Sequence, residues 1–180
     1  MDNGASSYHR FLNGNESGFD EIILLYRDNI IFFINRYVNN YYTAEDLAED
    51  AFLELLLHPK RYDFKRPLKT YLFTIARNKA VDYVRRNKRL VQLSETQVEK
   101  SSFASVEERY LTNEKHTLLH NAINSLTENY KTALHLVYFE NMSNEEAAAV
   151  MKKNKKQIEN LLYRAKLSLR TILEKEGFEL

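Results

Sequence analysis

The stretch from Lys60 to Arg89 combines a strong positive charge with a helical repeat of apolar residues. It contains eleven basic and two acidic residues, a net charge of +9 in a chain whose net charge is +1. From Thr70, the expected N-cap, to about Lys88 the apolar residues recur every three or four positions, which predicts one buried helix face. Aromatic residues alternate with these charges, and they are Tyr62, Phe64, Tyr71, Phe73 and Tyr83. Because cations hold phosphates and rings stack on unpaired bases, the stretch favours DNA binding and opening over a solvated basic helix.

Helical spacing of apolar residues continues through most of the chain, and no run alternates as a strand would. This spacing predicts a helix from Phe19 to about Val38 and a second from about Ala44 to Leu57. Thr43 is the expected N-cap of the second helix, with Asp46 as its capping-box acid. Few glycines and prolines interrupt these patterns, so we expect an all-α fold.

Two segments lack helical spacing. Residues 1–18 have no apolar signal core and are predicted to form a flexible leader. Residues 93–108 are polar and serine-rich and are predicted to form a flexible linker. We therefore expect two small helical domains, one over residues 19–92 and one over residues 109–180.

The C-terminal domain has the pattern of a helix-turn-helix. Three helices are predicted, over about 128–140, 144–151 and 155–174. The last two each open on a capping box, and the pairs are Ser143 with Glu146 and Asn154 with Gln157. A short helix, a three-residue turn and a longer helix that starts with basic and amide groups fit a unit that enters the major groove. The residues left outside on the last helix are Lys155, Lys156, Gln157, Asn160 and Arg164.

The predicted helix over about 44–57 has an acidic face opposite its apolar face. Its acids are Glu45, Asp46, Glu49, Asp50 and Glu54. Such a face would repel DNA, so it lies outside any DNA footprint. It is either a solvated surface or a docking surface for another protein.

Several function classes are disfavoured by what the chain lacks. It has no cysteine, which excludes disulfides and thiolate zinc sites. No apolar run approaches the roughly 18 residues of a membrane span, and no glycine-rich phosphate loop or activated-serine pattern occurs. His116 and His120 stand at i and i+4, but no third metal ligand lies near them in sequence. We expect no catalytic residue, no metal and no cofactor, and we expect a cytoplasmic protein.

Four motifs carry a family resemblance. They are AEDLAEDAFLELL at 44–56, YLFTIARNKAVDYVRR at 71–86, SLTENYKTALHLVYFENMSNEEAAAVM at 125–151 and LLYRAKLSLR at 161–170. In this order the chain resembles bacterial RNA polymerase sigma factors of the sigma-70 family, extracytoplasmic-function (ECF) type. That type keeps two conserved domains, called two and four, joined by a linker. The resemblance covers residues 19–92 and 109–172.

The resemblance implies a division of labour in transcription initiation. The acidic helix of domain two would dock on core RNA polymerase through Asp46, Glu49, Asp50 and Phe52. The loop and basic helix of the same domain would recognise and open the minus-ten promoter element, with one flipped base held between them. The residues implied are Phe64, Lys65, Tyr71, Phe73, Arg77, Asn78, Arg85 and Arg86.

Domain four would read the minus-thirty-five element through Lys155, Lys156, Gln157, Asn160 and Arg164. The implied partners are core RNA polymerase, promoter DNA and, as a further candidate, an anti-sigma factor, with no membrane insertion.

The sequence departs from the family pattern at a few positions. Tyr71 stands where the family commonly has tryptophan, and Lys152 replaces the usual turn glycine, which predicts a lysine in an unfavourable backbone conformation. Glu159 and Leu161 occupy positions that are often basic. These two residues keep open a sigma-like adaptor that acts without promoter melting. The other alternative is a helix-turn-helix transcriptional regulator that binds duplex DNA through the C-terminal unit.

Overall fold

The computed structural model describes residues 3–93 and 114–176, which fall into two compact helical units. Within these ranges no residue is in a strand. The first unit contains α1 (Asn3–Leu12), α2 (Ser17–Val38), α3 (Tyr41–Leu57) and α4 (Leu68–Leu93). The second contains α5 (Glu114–Asn124), α6 (Glu128–Leu134), α7 (Asn144–Met151) and α8 (Lys155–Lys175).

The expected all-α fold with two small helical domains is confirmed, and so is the helix-turn-helix of the second unit. Residues 94–108 of the predicted linker lie outside the described ranges. No helix in those ranges has both the length and the apolar character that a membrane crossing requires.

The core of the first unit lies where α2, α3 and α4 pack against one another. The rings of Phe33 on α2 and Phe73 on α4 meet there, with 5.1 Å between their centroids. The aliphatic side chains fully or almost fully buried beside them are Ile22, Ile30, Ile34, Leu55, Leu68 and Leu72. Burial of each such side chain stabilises the fold by about 1.5–3 kcal/mol relative to its exposure.

Helix α3 begins earlier than the sequence predicts. Its N-cap is Asn40, whose side-chain oxygen accepts a 3.0 Å hydrogen bond from the backbone N–H of Thr43. The predicted capping box of Thr43 and Asp46 is therefore wrong, because Thr43 already lies in the first turn. The predicted cap of α4 is also wrong, since Thr70 is buried inside a helix that begins at Leu68. Asn40 caps α3, and α4 begins directly after Pro67, whose backbone oxygen accepts a 3.2 Å hydrogen bond from the N–H of Tyr71.

For residues 3–18 the structure corrects the prediction of a flexible leader, while residues 1–2 of that leader lie outside the described ranges. Asn3–Leu12 form helix α1, which packs against α2 and α4. Tyr8 on this helix is completely buried, and the Ser7 hydroxyl donates a 2.7 Å hydrogen bond to Glu21 on α2. Gly18 permits the close approach, because a Cβ there would lie 2.4 Å from the backbone oxygen of Ser7. Burial of Tyr8 outweighs the poor helix propensity of the glycine and asparagine around it.

In the second unit the helix predicted over 128–140 divides into two parts. Helix α6 ends at Leu134, and His135–Phe139 form one π-helical turn. The backbone N–H of Glu140 accordingly bonds to the oxygen of His135, five residues back, at 3.0 Å. The wider turn brings His135 Nε2 to 3.3 Å from Glu140 Oε1 in the buried interior.

Both predicted capping boxes of the helix-turn-helix are confirmed. Ser143 and Glu146 cap α7, and Asn154 and Gln157 cap α8. Lys152 ends α7 with φ 54° and ψ 46°, so the unfavourable left-handed conformation predicted for this lysine is also present. These local contacts fix the turn that sets α7 against α8.

Candidate nucleic-acid interface

The loop 62–67, between α3 and α4, is a tight turn held by its own side chains. The Tyr62 hydroxyl donates a 2.7 Å hydrogen bond to the backbone oxygen of Arg66. The backbone N–H of Lys65 donates to Asp63 Oδ1 at 3.1 Å, which closes an Asx-type turn. Between them Phe64 has φ 58°, a conformation that bulky residues rarely adopt. The loop therefore presents the Phe64 ring from a backbone that its surroundings must hold in place.

Aromatic rings pack around this loop and differ in exposure. The Tyr62 ring lies 4.6 Å from that of Phe64 and 5.3 Å from that of Tyr71, and Tyr62 itself is buried. Phe64 is 43% exposed, while Tyr71 is half-buried. Burial raises the pKa of the Tyr71 hydroxyl, and the negative charge of Glu54 makes a smaller contribution in the same direction. Of the rings predicted to contact DNA, Phe64 presents the largest open surface, and Tyr71 forms a partly covered neighbour.

Phe73 does not belong to this surface. The sequence predicts a DNA contact, but the structure places its ring in the core against Phe33 with no exposed area. The reason is that α4 packs against both α2 and α3, which buries a wider face than one helix neighbour would. Lys69 covers the outer side of the same ring, with its Nζ 5.7 Å from the centroid.

The polar row of α4 lies as predicted on the outside of the helix. Arg77 and Asn78 are half-buried, and Arg85 and Arg86 are exposed. Asp82 contacts both of the outer arginines. Its Oδ1 lies 3.1 Å from Arg85 Nη2, and its backbone oxygen accepts a 3.3 Å hydrogen bond from Arg86 Nε. The buried Nε of Arg77 has no hydrogen-bond partner among the described residues. A phosphate contact by Arg77 would therefore use the part of its guanidinium that is open to solvent, since the residue is only half-buried.

Helix α3 exposes acids and leucines in one stripe. Asp46, Glu49 and Asp50 are exposed as predicted, whereas Phe52 is buried in the core, which removes it as a direct polymerase contact. Leu53 and Leu57, which the sequence reasoning missed, are 49% and 67% exposed. Positions 46, 49, 50, 53 and 57 recur at helical spacing on one face, and this spacing could have revealed them. A mixed acidic and apolar stripe is suited to bind a protein.

Two acids of α3, Asp50 and Glu54, are paired with basic residues on and just before α4. Lys79 on α4 lies 3.8 Å from Asp50 and 3.6 Å from Glu54. Arg61, just before the loop, lies 2.9 Å from Glu54. The acidic stripe and the basic helix therefore share a boundary made of ion pairs.

The start of α8 presents the predicted polar groups on an exposed face. Lys155, Lys156, Gln157, Asn160 and Arg164 are all exposed. Two of them already have intramolecular contacts, since Lys155 pairs with Glu145 at 2.6 Å and Gln157 Oε1 accepts the Asn154 N–H at 2.9 Å. A hydrogen bond from Lys155 lowers the pKa of Glu145, and the same bond raises that of Lys155.

Two family departures on α8 have different consequences. Leu161 is half-buried on the inner side of the helix, so it does not compete for the exposed face. Glu159 is exposed beside the basic residues and reduces the positive charge there. Among the described residues, no group of three or more His, Asp or Glu is arranged to hold a metal ion.

Comparison with known proteins matches each unit to one region of the same family. Residues 22–90 match the family model for Sigma-70 region 2, and residues 116–169 match that for Sigma-70 region 4, which together span more than half of the chain. The ECF RNA polymerase sigma factor SigM of Bacillus subtilis is 28% identical, over 85% of this chain and 93% of its own length. The RNA polymerase sigma-H factor of Pseudomonas aeruginosa is 27% identical, over 92% and 91%.

Solved structures give the same result. The sigma factor RpoE of Bartonella quintana, crystallised with the anti-sigma factor NepR, is 25% identical with a TM-score of 0.72, over 87% of this chain and 96% of that chain. CnrH, in complex with the cytosolic domain of CnrY, has a TM-score of 0.66 at 20% identity, over 96% of each chain, and shares the fold.

Proposed function

We propose, given that this chain belongs to the sigma-70 family and is a sigma factor of the ECF type, that three of its surfaces perform three separate steps of transcription initiation. As a sigma factor it binds core RNA polymerase and directs promoter recognition and DNA opening. The α3 stripe docks polymerase, the loop 62–67 with α4 opens the minus-ten element, and the start of α8 contacts the minus-thirty-five element. A regulator that binds duplex DNA alone is not favoured, since region 2 of the family also matches.

Polymerase docking is assigned to the α3 stripe because this face of the helix combines exposed acids with exposed leucines. Asp46 and Glu49 supply negative charge that attracts a basic partner. Leu53 and Leu57 supply apolar area, and its burial by a partner stabilises the complex. Phe52 supports the stripe from inside the core and does not contact polymerase directly.

Promoter opening is carried by one observation, the half-exposed ring of Phe64 on a turn that its neighbours hold in place. Extrusion of a base from a duplex costs a few kcal/mol, and stacking on an aromatic ring returns about 1–3 kcal/mol. Phosphate contacts from Arg77 and the outer arginines of α4 add salt-dependent attraction. The free energy gained from stacking barely covers the cost of extruding one base, so this domain alone cannot hold many base pairs open. Opening therefore takes place within the polymerase complex.

Contacts with the minus-thirty-five element are assigned to Lys156, Asn160 and Arg164, with Lys155 available once it leaves Glu145. Gln157 keeps its side-chain oxygen in the cap and offers its amide donor. An α-helix fits the major groove, where basic and amide groups reach phosphates and base edges.

The remaining parts of the proposal concern partners and location. The chain itself breaks and forms no covalent bond, because polymerase performs the chemistry, and we place the protein in the cytoplasm with that polymerase. An anti-sigma factor is a further proposed partner, supported by the relative that was crystallised with one.

Reconstitution with core RNA polymerase tests the proposed function. On a promoter selected from a genomic library, wild-type protein is expected to give run-off transcripts and permanganate-reactive thymines near the minus-ten position. Arg77→Ala and Asn78→Ala are expected to reduce permanganate reactivity and to leave polymerase binding intact. Asp46→Lys with Glu49→Lys is expected to abolish polymerase binding, whereas Asp20→Lys with Asp28→Lys, at two exposed acids of α2, serves as the charge-matched control. Tight duplex binding without polymerase, together with no effect on initiation, would contradict the proposal.

A further inference from the structure

The Tyr8 side chain joins α1 to the end of α3. Its hydroxyl donates a 2.8 Å hydrogen bond to the backbone oxygen of Leu55. In an α-helix that oxygen accepts from the N–H four residues later, but residue 59 is proline and has none. Tyr8 therefore satisfies a carbonyl that the chain itself leaves open, at the point where α3 leads into the loop 62–67.

The ring of the same tyrosine supports the aromatic residues of the loop. Its centroid lies 5.7 Å from that of Tyr62 and 6.1 Å from that of Phe64, while the neighbouring His9 ring lies 6.1 Å from Phe64 on the outer side. Burial, and secondarily the Tyr71 phenol, raise the pKa of Tyr8 to about 12, so its hydroxyl stays a hydrogen-bond donor at neutral pH. Helix α1 thus covers one side of Phe64 and leaves the rest of the ring to solvent.

Phe64 needs such support because its backbone conformation is unfavourable. A phenylalanine at φ 58° persists only where neighbouring contacts outweigh the cost. Within the loop, the bonds from Tyr62 to Arg66 and from Lys65 to Asp63 close the turn. They do not fix the direction of the Phe64 ring, which contacts Tyr62, Tyr8 and His9.

We propose that Tyr8 is a positioning residue for promoter opening, which holds the loop 62–67 so that the Phe64 ring is presented to an unpaired base. This proposal rests on the proposed function and adds α1 to the opening machinery. Tyr8 does not contact the base, since it has no exposed surface. Displacement of α1 therefore loosens the Phe64 ring and weakens opening, while the α3 stripe continues to bind polymerase.

The chain offers a way to displace α1 without changing any aromatic residue. A Cβ on Gly18 would lie 2.4 Å from the backbone oxygen of Ser7 and 2.9 Å from the backbone nitrogen of Phe11. Backbone atoms cannot move aside as a flexible side chain can, so Gly18→Ala pushes α1 away from α2. Ser6→Ala, at an exposed position of α1, is the matched control.

The test uses the full-length chain and core polymerase with Tyr8→Phe, Tyr8→Leu, Gly18→Ala and Ser6→Ala. Tyr8→Leu and Gly18→Ala are expected to lower the open-complex fraction, measured with permanganate, about five- to tenfold, within the range set by loss of one stacked base. Tyr8→Phe, which keeps the ring, is expected to give a smaller loss, and Ser6→Ala none. Affinity for core polymerase is expected to stay unchanged in all four.

A second readout needs no DNA. The chain contains no tryptophan, so Phe64→Trp introduces a single tryptophan into the loop, and its emission can be excited apart from that of the tyrosines. In this background Tyr8→Leu and Gly18→Ala are expected to increase acrylamide quenching, and Ser6→Ala is expected to leave it unchanged. Where Tyr8→Leu fails to fold by circular dichroism, Tyr8→Phe and Gly18→Ala decide the question.

The outcomes separate this inference from the proposed function. If wild-type protein opens no promoter, the proposed function is wrong, and quenching still decides whether α1 positions Phe64. Unchanged quenching and unchanged opening in Gly18→Ala would overturn the role of Tyr8. A loss of polymerase affinity in proportion to the loss of opening would also overturn it, because α1 would then support the whole unit.

Discussion

The loop 62–67 and the start of α8 are two candidate DNA surfaces built in opposite ways. In the loop, Phe64 stands on buried rings, and Tyr62 uses its hydroxyl to close the turn. At the start of α8, long exposed side chains such as Lys156 and Arg164 project from a helix whose position is fixed by the cap of Asn154. In the first surface neighbouring rings pack against the Phe64 side chain itself, whereas in the second the cap of Asn154 fixes only the backbone from which the cations project.

The difference suits the two targets proposed above. An unpaired base has no fixed position, so the protein must hold its own contact group in place. A Phe64 ring already packed by its neighbours loses little conformational entropy when the base binds. A duplex already has a fixed groove, and flexible cations need only reach its phosphates and base edges. We therefore expect substitutions near the loop to act through packing and those on α8 to act through charge.

The largest expected effect is on folding. Phe73→Ala should lower the free energy of unfolding by about 3–5 kcal/mol, because it removes a fully buried ring that packs on Phe33. Phe64→Ala should change it by about 1 kcal/mol or less, since that ring is 43% exposed. Urea unfolding of the full-length chain, followed by far-ultraviolet circular dichroism, measures both values. Similar losses in the two variants would show that Phe64 belongs to the core and that the loop is not a separate surface.

The next effect is on promoter opening. Phe64→Ala should reduce the open-complex fraction by about 5- to 150-fold, which corresponds to about 1–3 kcal/mol of lost base stacking. Phe64→Tyr keeps an aromatic face and should retain most of the opening. Permanganate reactivity with polymerase saturated by each variant gives the measurement. Equal activity of the alanine and tyrosine variants would contradict the assignment of the ring as a stacking surface.

A smaller effect is expected at the turn of the helix-turn-helix. Lys152 has φ 54°, where a lysine is less favourable than glycine by about 1 kcal/mol. Lys152→Gly should therefore raise the free energy of unfolding by up to about 1 kcal/mol. Lys153→Gly, next to it but without positive φ, should lower it slightly through added chain entropy in the unfolded state. Thermal unfolding that moves both variants in the same direction would contradict this account of the turn.

Local sequence signals predicted the second unit better than the first. The capping boxes of α7 and α8 depend on residues three positions apart, and both are present. Helix α1 and the burial of Phe73 depend on residues distant in sequence, since Tyr8 bonds to Leu55 and Phe73 meets Phe33. Periodicity locates one helix face, whereas α4 is covered by two helices and buries more than that face.

The α3 stripe contains exposed apolar residues that the sequence reasoning did not identify. Charge located Asp46 and Glu49, whereas no prediction was made for Leu53 and Leu57, which lie within an apolar run. They are exposed because the inner face of α3 is already supplied by Ala48, Ala51 and Leu55. Helical spacing places these leucines on the face of Asp46 and Glu49, and the packed core then shows that this face is left uncovered.

The smallest expected effect concerns Lys155 and Glu145, an exposed pair whose loss should barely change folding. The hydrogen bond lowers the pKa of Glu145 below its ordinary value of 4.5. The pair therefore stabilises the folded chain above about pH 4.5 and loses this contribution as the pH falls through the lowered pKa. A double-mutant cycle of Glu145→Gln and Lys155→Met should show a small coupling in thermal unfolding at pH 7 that disappears in acid.

The same pair tests whether the α8 surface acts through charge. Glu145→Gln releases Lys155, so holoenzyme affinity for minus-thirty-five duplex should rise at low salt, and the gain should shrink as salt is added. Glu174→Gln, which breaks a pair with Arg170 near the far end of the helix, is the control and should leave affinity unchanged. Because phosphate would replace Glu145 as the partner of Lys155, Lys155→Met must abolish the gain. A gain that persists in the double variant would mean that Glu145 repels DNA directly and that Lys155 takes no part.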